Sequence, residues 1–207
     1  MKKTRVLLSK QDWVEAAIQE LSVSGFDGVA VEPLARRLGI SKGSFYWHFR
    51  DLSELVAAVL ETWKTRAVTN VIGEGDSIGD PRRRIAALIQ TAWADPSLLR
   101  AEGALMSAGV AGDELVVPAV REVITLRLEY LRGLYLAMGV SPSQADRWAL
   151  TAYTAYAGLV QLVTLRAGCL GNETEIRALA AHVERVLIPA KVSPAGARRR
   201  SPKTSPT

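Results

Sequence analysis

The 207-residue chain has a single cysteine, Cys169, and only two histidines, His48 and His182. One thiol closes no intrachain disulfide, which agrees with a reducing compartment. Two distant imidazoles, with no Glu-x-x-His pair and no glycine-rich phosphate loop, give no basis for a metal- or nucleotide-dependent active site. The residues read as non-enzymatic, with no metal and no cofactor. Long apolar runs are missing as well. After the basic start Met1-Lys2-Lys3-Thr4-Arg5 the apolar residues stop at Leu8, too early for a secretory core, and nothing later reaches membrane-spanning length. The expectation is a soluble, cytoplasmic protein without membrane contact.

Net charge is absent where it first seems present. The formal excess is +5, and residues 191–207 hold Lys191, Arg198, Arg199, Arg200 and Lys203 with no acid. Residues 1–190 therefore balance 21 basic against 21 acidic side chains. The overall charge carries no argument for a nucleic-acid partner in the folded part. The tail, proline-containing and without periodicity, is expected to be a disordered basic segment.

Strand-like alternation is also lacking, so the chain is expected to be all-α, with short Gly/Pro/Asp/Asn breaks between amphipathic segments. Ser9, with Asp12 three residues on, predicts a capped start for a first helix whose buried stripe is Trp13, Val14, Ala17, Ile18 and Leu21, ending at Gly25. A short second helix is expected around Pro33–Leu38, turned by Gly39-Ile40, and a third begins after Ser41. A longer fourth helix runs from near Asp51 towards Val71. The glycine- and acid-rich stretch 73–80 divides the chain into expected domains 1–70 and 80–190, with the tail 191–207 beyond. Further helices are expected at 81–94, 97–110, 113–139, 142–168 and 172–187.

The informative segment is 41–49, Ser-Lys-Gly-Ser-Phe-Tyr-Trp-His-Phe. At about 100° per residue, Phe45 and Phe49 fall on one face and Gly43 and Trp47 on the opposite one. Lys42 and Tyr46 line one flank, Ser44 and His48 the other. A short helix with an anchored apolar back, a bare front and donors on both rims suits a DNA major groove. Together with the preceding glycine turn it makes a helix-turn-helix braced by the first helix.

These residues resemble the TetR (tetracycline repressor) family of transcriptional regulators. The resemblance rests on Phe26-Asp-Gly-Val, on the run from Leu34 to Phe49, and on Leu55 with the apolar residues after it, over roughly residues 9–63. It implies an N-terminal three-helix DNA-binding domain, then a divergent helical domain that dimerises and binds an effector. Gly43 then admits the backbone to base edges, Lys42 reaches a guanine or a phosphate, and Trp47 meets a thymine methyl or the sugars. Ser44, Tyr46 and His48 match positions that bond phosphates in the family, and Lys2, Lys3 and Arg5 are placed as an arm over the DNA. Two departures remove phosphate donors: Ala30 and Val31 stand where a capping threonine is common, and Leu52 where a lysine is common.

For the C-terminal half, Ala145, Ala149, Ala152, Tyr156, Leu159 and Val163 recur at alternating spacings of four and three, a candidate two-fold seam joined by Leu179 and Val183 of the last helix. Burial inside the subunit's own core is the competing reading. Trp63, Trp93, Leu105, Met106, Tyr130, Leu134 and Met138 come from helices that surround the ligand in relatives, and imply a pocket for a small hydrophobic or aromatic effector. The function implied is a homodimeric repressor on a palindromic double-stranded operator, released by that effector. An activator, or a DNA- or protein-binding module without an effector, stays open.

Overall fold

A computed structural model describes residues 8–76, 78–92, 95–166, 168 and 173–189, with backbone alone at 69–76 and 173. The arm residues Lys2, Lys3 and Arg5, the tail 191–207, Cys169 and Trp93 lie outside the described residues. The architecture is all-α, with no strand among the described residues. No single described helix is long and apolar enough to cross a membrane.

Helix α1 (Lys10–Ser24) starts at the anticipated capping box. The Asp12 N–H donates to Ser9 Oγ at 3.3 Å, and the Ser9 N–H donates to Asp12 Oδ2 at 2.6 Å. It ends at Gly25, whose φ of 75° lies where a side chain is disfavoured. A single 3₁₀ turn (Phe26–Gly28) leads into α2 (Val31–Leu38). This helix starts two residues before Pro33, and no side chain caps it at Ala30. Gly39, with φ 68°, turns the chain, and the Ile40 N–H reaches back to the Ala35 carbonyl at 3.0 Å.

The reading helix (Lys42–Trp47) is a 3₁₀-helix rather than the expected α-helix. The remaining elements are α3 (Leu52–Asp76), α4 (Pro81–Ala92), α5 (Pro96–Ala111), α6 (Val116–Ala137), α7 (Pro142–Thr164) and α8 (Glu173–Leu187). Asp51 opens α3 by accepting from the Glu54 N–H at 2.9 Å. Helix α3 continues through Gly73 and Gly75, past the expected end near Val71, because single glycines weaken a helix without breaking it.

Packing is continuous across the stretch 70–80. One buried cluster runs from Trp13, Leu34, Phe45 and Leu55 of the head into Ala101, Leu105, Val116 and Val120 of α5 and α6. A second core lies between α4, α6, α7 and α8 around Ile85, Leu134, Tyr135 and Ala149. There the Tyr135 hydroxyl donates to the Leu187 carbonyl at 2.9 Å, tying α6 to the end of α8, and burial pushes its pKa up to about 12. The head is a lobe of one continuous helical body.

Candidate nucleic-acid interface and central cavity

Phe45 and Phe49 anchor the reading helix. Both are sealed in the core, stacked on each other with centroids 5.4 Å apart, and Trp13 of α1 meets the Phe45 ring edge-on at 5.2 Å. Trp47, two residues from Phe45, is 88% exposed, and Tyr46 is exposed beside it. Lys42 and Gly43 are exposed, Ser44 and His48 half-buried. A Cβ built on Gly43 meets only Ser41 Oγ, at 3.8 Å, so the front of the helix is open.

The 3₁₀ winding corrects the rim assignment. At about 120° per residue Ser44 shares a ridge with Trp47 and Gly43 with Tyr46, instead of the Ser44/His48 and Lys42/Tyr46 pairs of an α-helix. Phe49 still reaches the core because the Phe45 carbonyl accepts from both the His48 N–H (2.9 Å) and the Phe49 N–H (3.0 Å), where the winding relaxes to α spacing. Ser41 opens the helix through its carbonyl, which accepts from the Ser44 N–H at 3.0 Å, and its hydroxyl caps nothing.

Lys42, Arg37 and Lys10 are each held by a neighbouring acid. Lys42 Nζ lies 2.9 Å from Glu32 Oε1 in the first turn of α2, and this hydrogen-bonded pairing raises the lysine pKa and lowers that of the carboxylate. Both side chains are more than half exposed, so the pair is weak and exchangeable. Arg37 instead donates to the buried Glu20 at 2.6 and 3.0 Å, a bracing role inside the head. Ser24 and then Arg37 hold the Glu20 carboxyl below its ordinary range. Lys10 spans Glu54 at 2.9 Å and the face of Phe49 at 4.7 Å, clamping α1 to α3.

A cavity of about 260 Å³ lies between α1, α3, α4, α5, α6, α7 and α8. Trp63 and Leu105 line it. Met106 instead packs with Leu99, Leu159 and Val160, and Tyr130, Leu134 and Met138 belong to the α4/α6/α7/α8 core. They point away because α6 turns Arg127 and Leu131, rather than Tyr130 and Leu134, to the cavity. Ile18 and Leu21 of α1, read from sequence as head core, form part of its wall. Arg127 and Glu102 form its polar floor, with Nη1–Oε1 2.6 Å and Nη2–Oε2 3.0 Å, and the guanidinium stacks 5.0 Å from the Tyr156 ring. Burial alone lowers the Arg127 pKa, but the Glu102 charge outweighs it and the net direction is up. Nothing in the spacing marks this i-to-i+25 pair as partners.

The anticipated seam is largely internal. Ala149, Ala152 and Leu159 are buried against the chain's own helices, Tyr156 and Val183 line the cavity half-buried, and Val163 packs on Leu159 and Val160. Their heptad spacing records the subunit core. Leu179 is exposed, and α7 also presents Leu150 and Leu162 outward.

Fold and site define an all-α helix-turn-helix protein whose reading head shares its core with a cavity-bearing helical body. Residues 14–59 match the model for bacterial regulatory proteins of the tetR family. The tetracycline repressor class A from transposon 1721 of Escherichia coli is 33% identical over 63 residues, covering 30% of this chain and 29% of that protein. The class D repressor of Escherichia coli is 33% identical over 52 residues, 25% and 24% of the two chains. These matches span less than a third of the relatives' length. Over nearly the whole chain the fold is similar to a transcriptional regulator from Rhodococcus sp. Rha1 (TM-score 0.71, 21% identity, 87% of this chain and 96% of that one). It is also similar to the regulator FadR from Bacillus subtilis, solved with stearoyl-CoA (TM-score 0.65, 14% identity, 87% and 98%). The likeness to the tetR family is therefore one of sequence in the N-terminal region, residues 14–59, and one of fold over nearly the whole chain.

Proposed function

We propose that this protein is a homodimeric transcriptional repressor that binds a palindromic DNA operator and is released when a small molecule fills the central cavity. The observation that carries the reading is Trp47, 88% exposed, with an uncrowded Gly43 on the adjoining ridge, on a helix locked from behind by Phe45 and Phe49. An exposed indole on a rigid support is a poor surface for water and a good one for a thymine methyl or a deoxyribose. Lys42 leaves Glu32 for a phosphate or a guanine, while Ser44, Tyr46 and His48 supply rim hydrogen bonds.

Release follows from the cavity's position. Its wall includes Ile18 and Leu21 of α1 and Trp63, Arg66 and Ala67 of α3, both elements of the head. Head and body are also tied by Lys64 to Glu122 at 2.8 Å and by Arg100 Nε to the Ser22 carbonyl at 3.2 Å. A ligand between α1 and α5 bears on the head directly, altering the spacing of two heads that must match half-sites about 34 Å apart. The effect is bounded by the ligand's differential affinity for the two arrangements.

The test is affinity selection of genomic fragments on the purified protein, followed by anisotropy titration of the recovered duplex. Wild type is expected to prefer it over a scrambled duplex by at least about a thousandfold. Trp47→Ala is expected to lose at least tenfold of that preference, with nonspecific binding kept. A wild-type protein indifferent to sequence ends the reading.

A further inference from the structure

We infer that the cavity admits an uncharged, largely apolar ligand of roughly a dozen heavy atoms at close-packed density and refuses the anion of the same shape. The inference rests on the cavity being the effector site and names the chemistry of that effector.

The reason is that every charge on the wall is already answered. Arg66 is paired with Glu15 of α1, with Nη1 3.0 Å from Oε2. Asp95 caps α5, accepting from the Ser97 N–H at 2.8 Å and the Ser97 hydroxyl at 2.6 Å. Arg127 gives both ends of its fork to Glu102, aims Nε at the Ala67 carbonyl at 3.4 Å, and covers its face with Tyr156. The side chains of Arg127 and Glu102 are 10% and 8% exposed, so the pair is desolvated. A carboxylate seeking Arg127 must displace Glu102 and strand that charge in an apolar surround, a change that weakens binding by more than about a hundredfold. A cationic head finds the Glu102 carboxylate already held by Arg127 and that of Asp95 already capping α5. A neutral head meets no such penalty. Trp63 adds aromatic surface rather than charge to the same wall.

The experiment compares methyl octanoate with octanoate on the full wild-type chain by calorimetry and thermal shift, without DNA. The ester is expected to bind, and octanoate at pH 8 to bind at least about a hundredfold more weakly. Between pH 8 and pH 6 the apparent affinity for the acid should rise about tenfold per unit, following the neutral fraction of the ligand, while that of the ester stays level. The wall does not confuse this reading. Capping by Ser97 holds the Asp95 pKa low, the Arg127 pKa is up on balance, and burial raises the Tyr153 and Tyr156 pKa values. No histidine is among the described lining residues. Glu102→Gln is expected to free Arg127 and bring octanoate to at least the affinity of the ester. The wild-type pH series decides the matter even if E102Q does not fold. Octanoate binding at pH 8 as tightly as the ester overturns the neutral-ligand inference and leaves the effector site standing. Failure of both probes at their solubility limits overturns the inference and the effector site together, while operator binding, measured separately, stands on its own.

Discussion

Phe45 and Trp47 are two residues apart, both aromatic, and opposite in environment: 0% against 88% exposed. The energetics of replacing them should differ accordingly. Phe45→Ala removes a ring packed against Trp13 and Phe49 and is expected to cost about 3–5 kcal/mol in urea unfolding. Trp47→Ala should stay within about 0.5 kcal/mol of wild type, because its indole has few contacts to lose. Equal costs would place the indole in the fold rather than at the partner. Gly43 gives a sharper version of the same contrast. Its absent Cβ has room in the free protein, so Gly43→Ala should leave the unfolding midpoint level or raise it slightly. The same methyl group intrudes where a base edge must approach, so affinity for the selected duplex should fall at least about tenfold, roughly 1.4 kcal/mol. Undiminished affinity in Gly43→Ala would remove close backbone approach from the account.

Elements were legible where local chemistry decides them and illegible where packing does. The Ser9–Asp12 box and Gly25 mark both ends of α1 in the sequence, because a cap is a local hydrogen-bonding event. The 3₁₀ winding of the reading helix was not legible. Six residues between a glycine turn and a buried Phe49 are too few for periodicity to separate 100° from 120° per residue. The α7 stripe is legible as apolar, but its partner is not, since a spacing of four and three is the same for a self-packed helix and a paired one. Gly103, which no sequence pattern distinguishes, sits where α5 meets α7. A Cβ there would lie 1.8 Å from Thr164 Oγ1 and 2.9 Å from Thr164 Cβ, too close for a rotamer change alone to relieve. Gly103→Ala should therefore cost about 1–3 kcal/mol, against the usual gain from replacing a helical glycine. A more stable variant in thermal denaturation would show that the two helices are not in that contact.

At the scale of the whole molecule, the two lobes and any second copy depend on different forces. Carboxylates brace the head: Glu15 on Arg66, Glu20 on Ser24 and Arg37, and Asp12 at its cap all have pKa values lowered below ordinary ones. A group whose folded pKa is depressed stabilises above its unfolded pKa and loses that contribution as pH falls through the folded value. Melting temperature should thus be nearly flat from about pH 6 to 8 and decline below about pH 4.5. Greater stability at pH 3.5 than at pH 7 would contradict these pairings. The self-association we propose would draw instead on the outward side of α7, where Leu150 is 55% and Leu162 38% exposed, on Leu165 just past its end at 69%, and on Leu179 and Val186 of α8 at 38% and 52%. Between those leucines Gly158 has nothing within 4 Å of where its Cβ would stand, so another helix has space to approach. A charge on this ridge acts on the assembly and not on the subunit. Leu150→Glu should leave monomer stability within about 0.5 kcal/mol while weakening a dimer, read by sedimentation velocity, by at least about tenfold through burial of an unpaired carboxylate. Affinity for a palindromic duplex should drop in parallel and affinity for a single half-site should not, because only the former needs two heads held at one spacing. If Leu150→Glu sediments and binds as wild type does, the pairing surface lies elsewhere on the helical body.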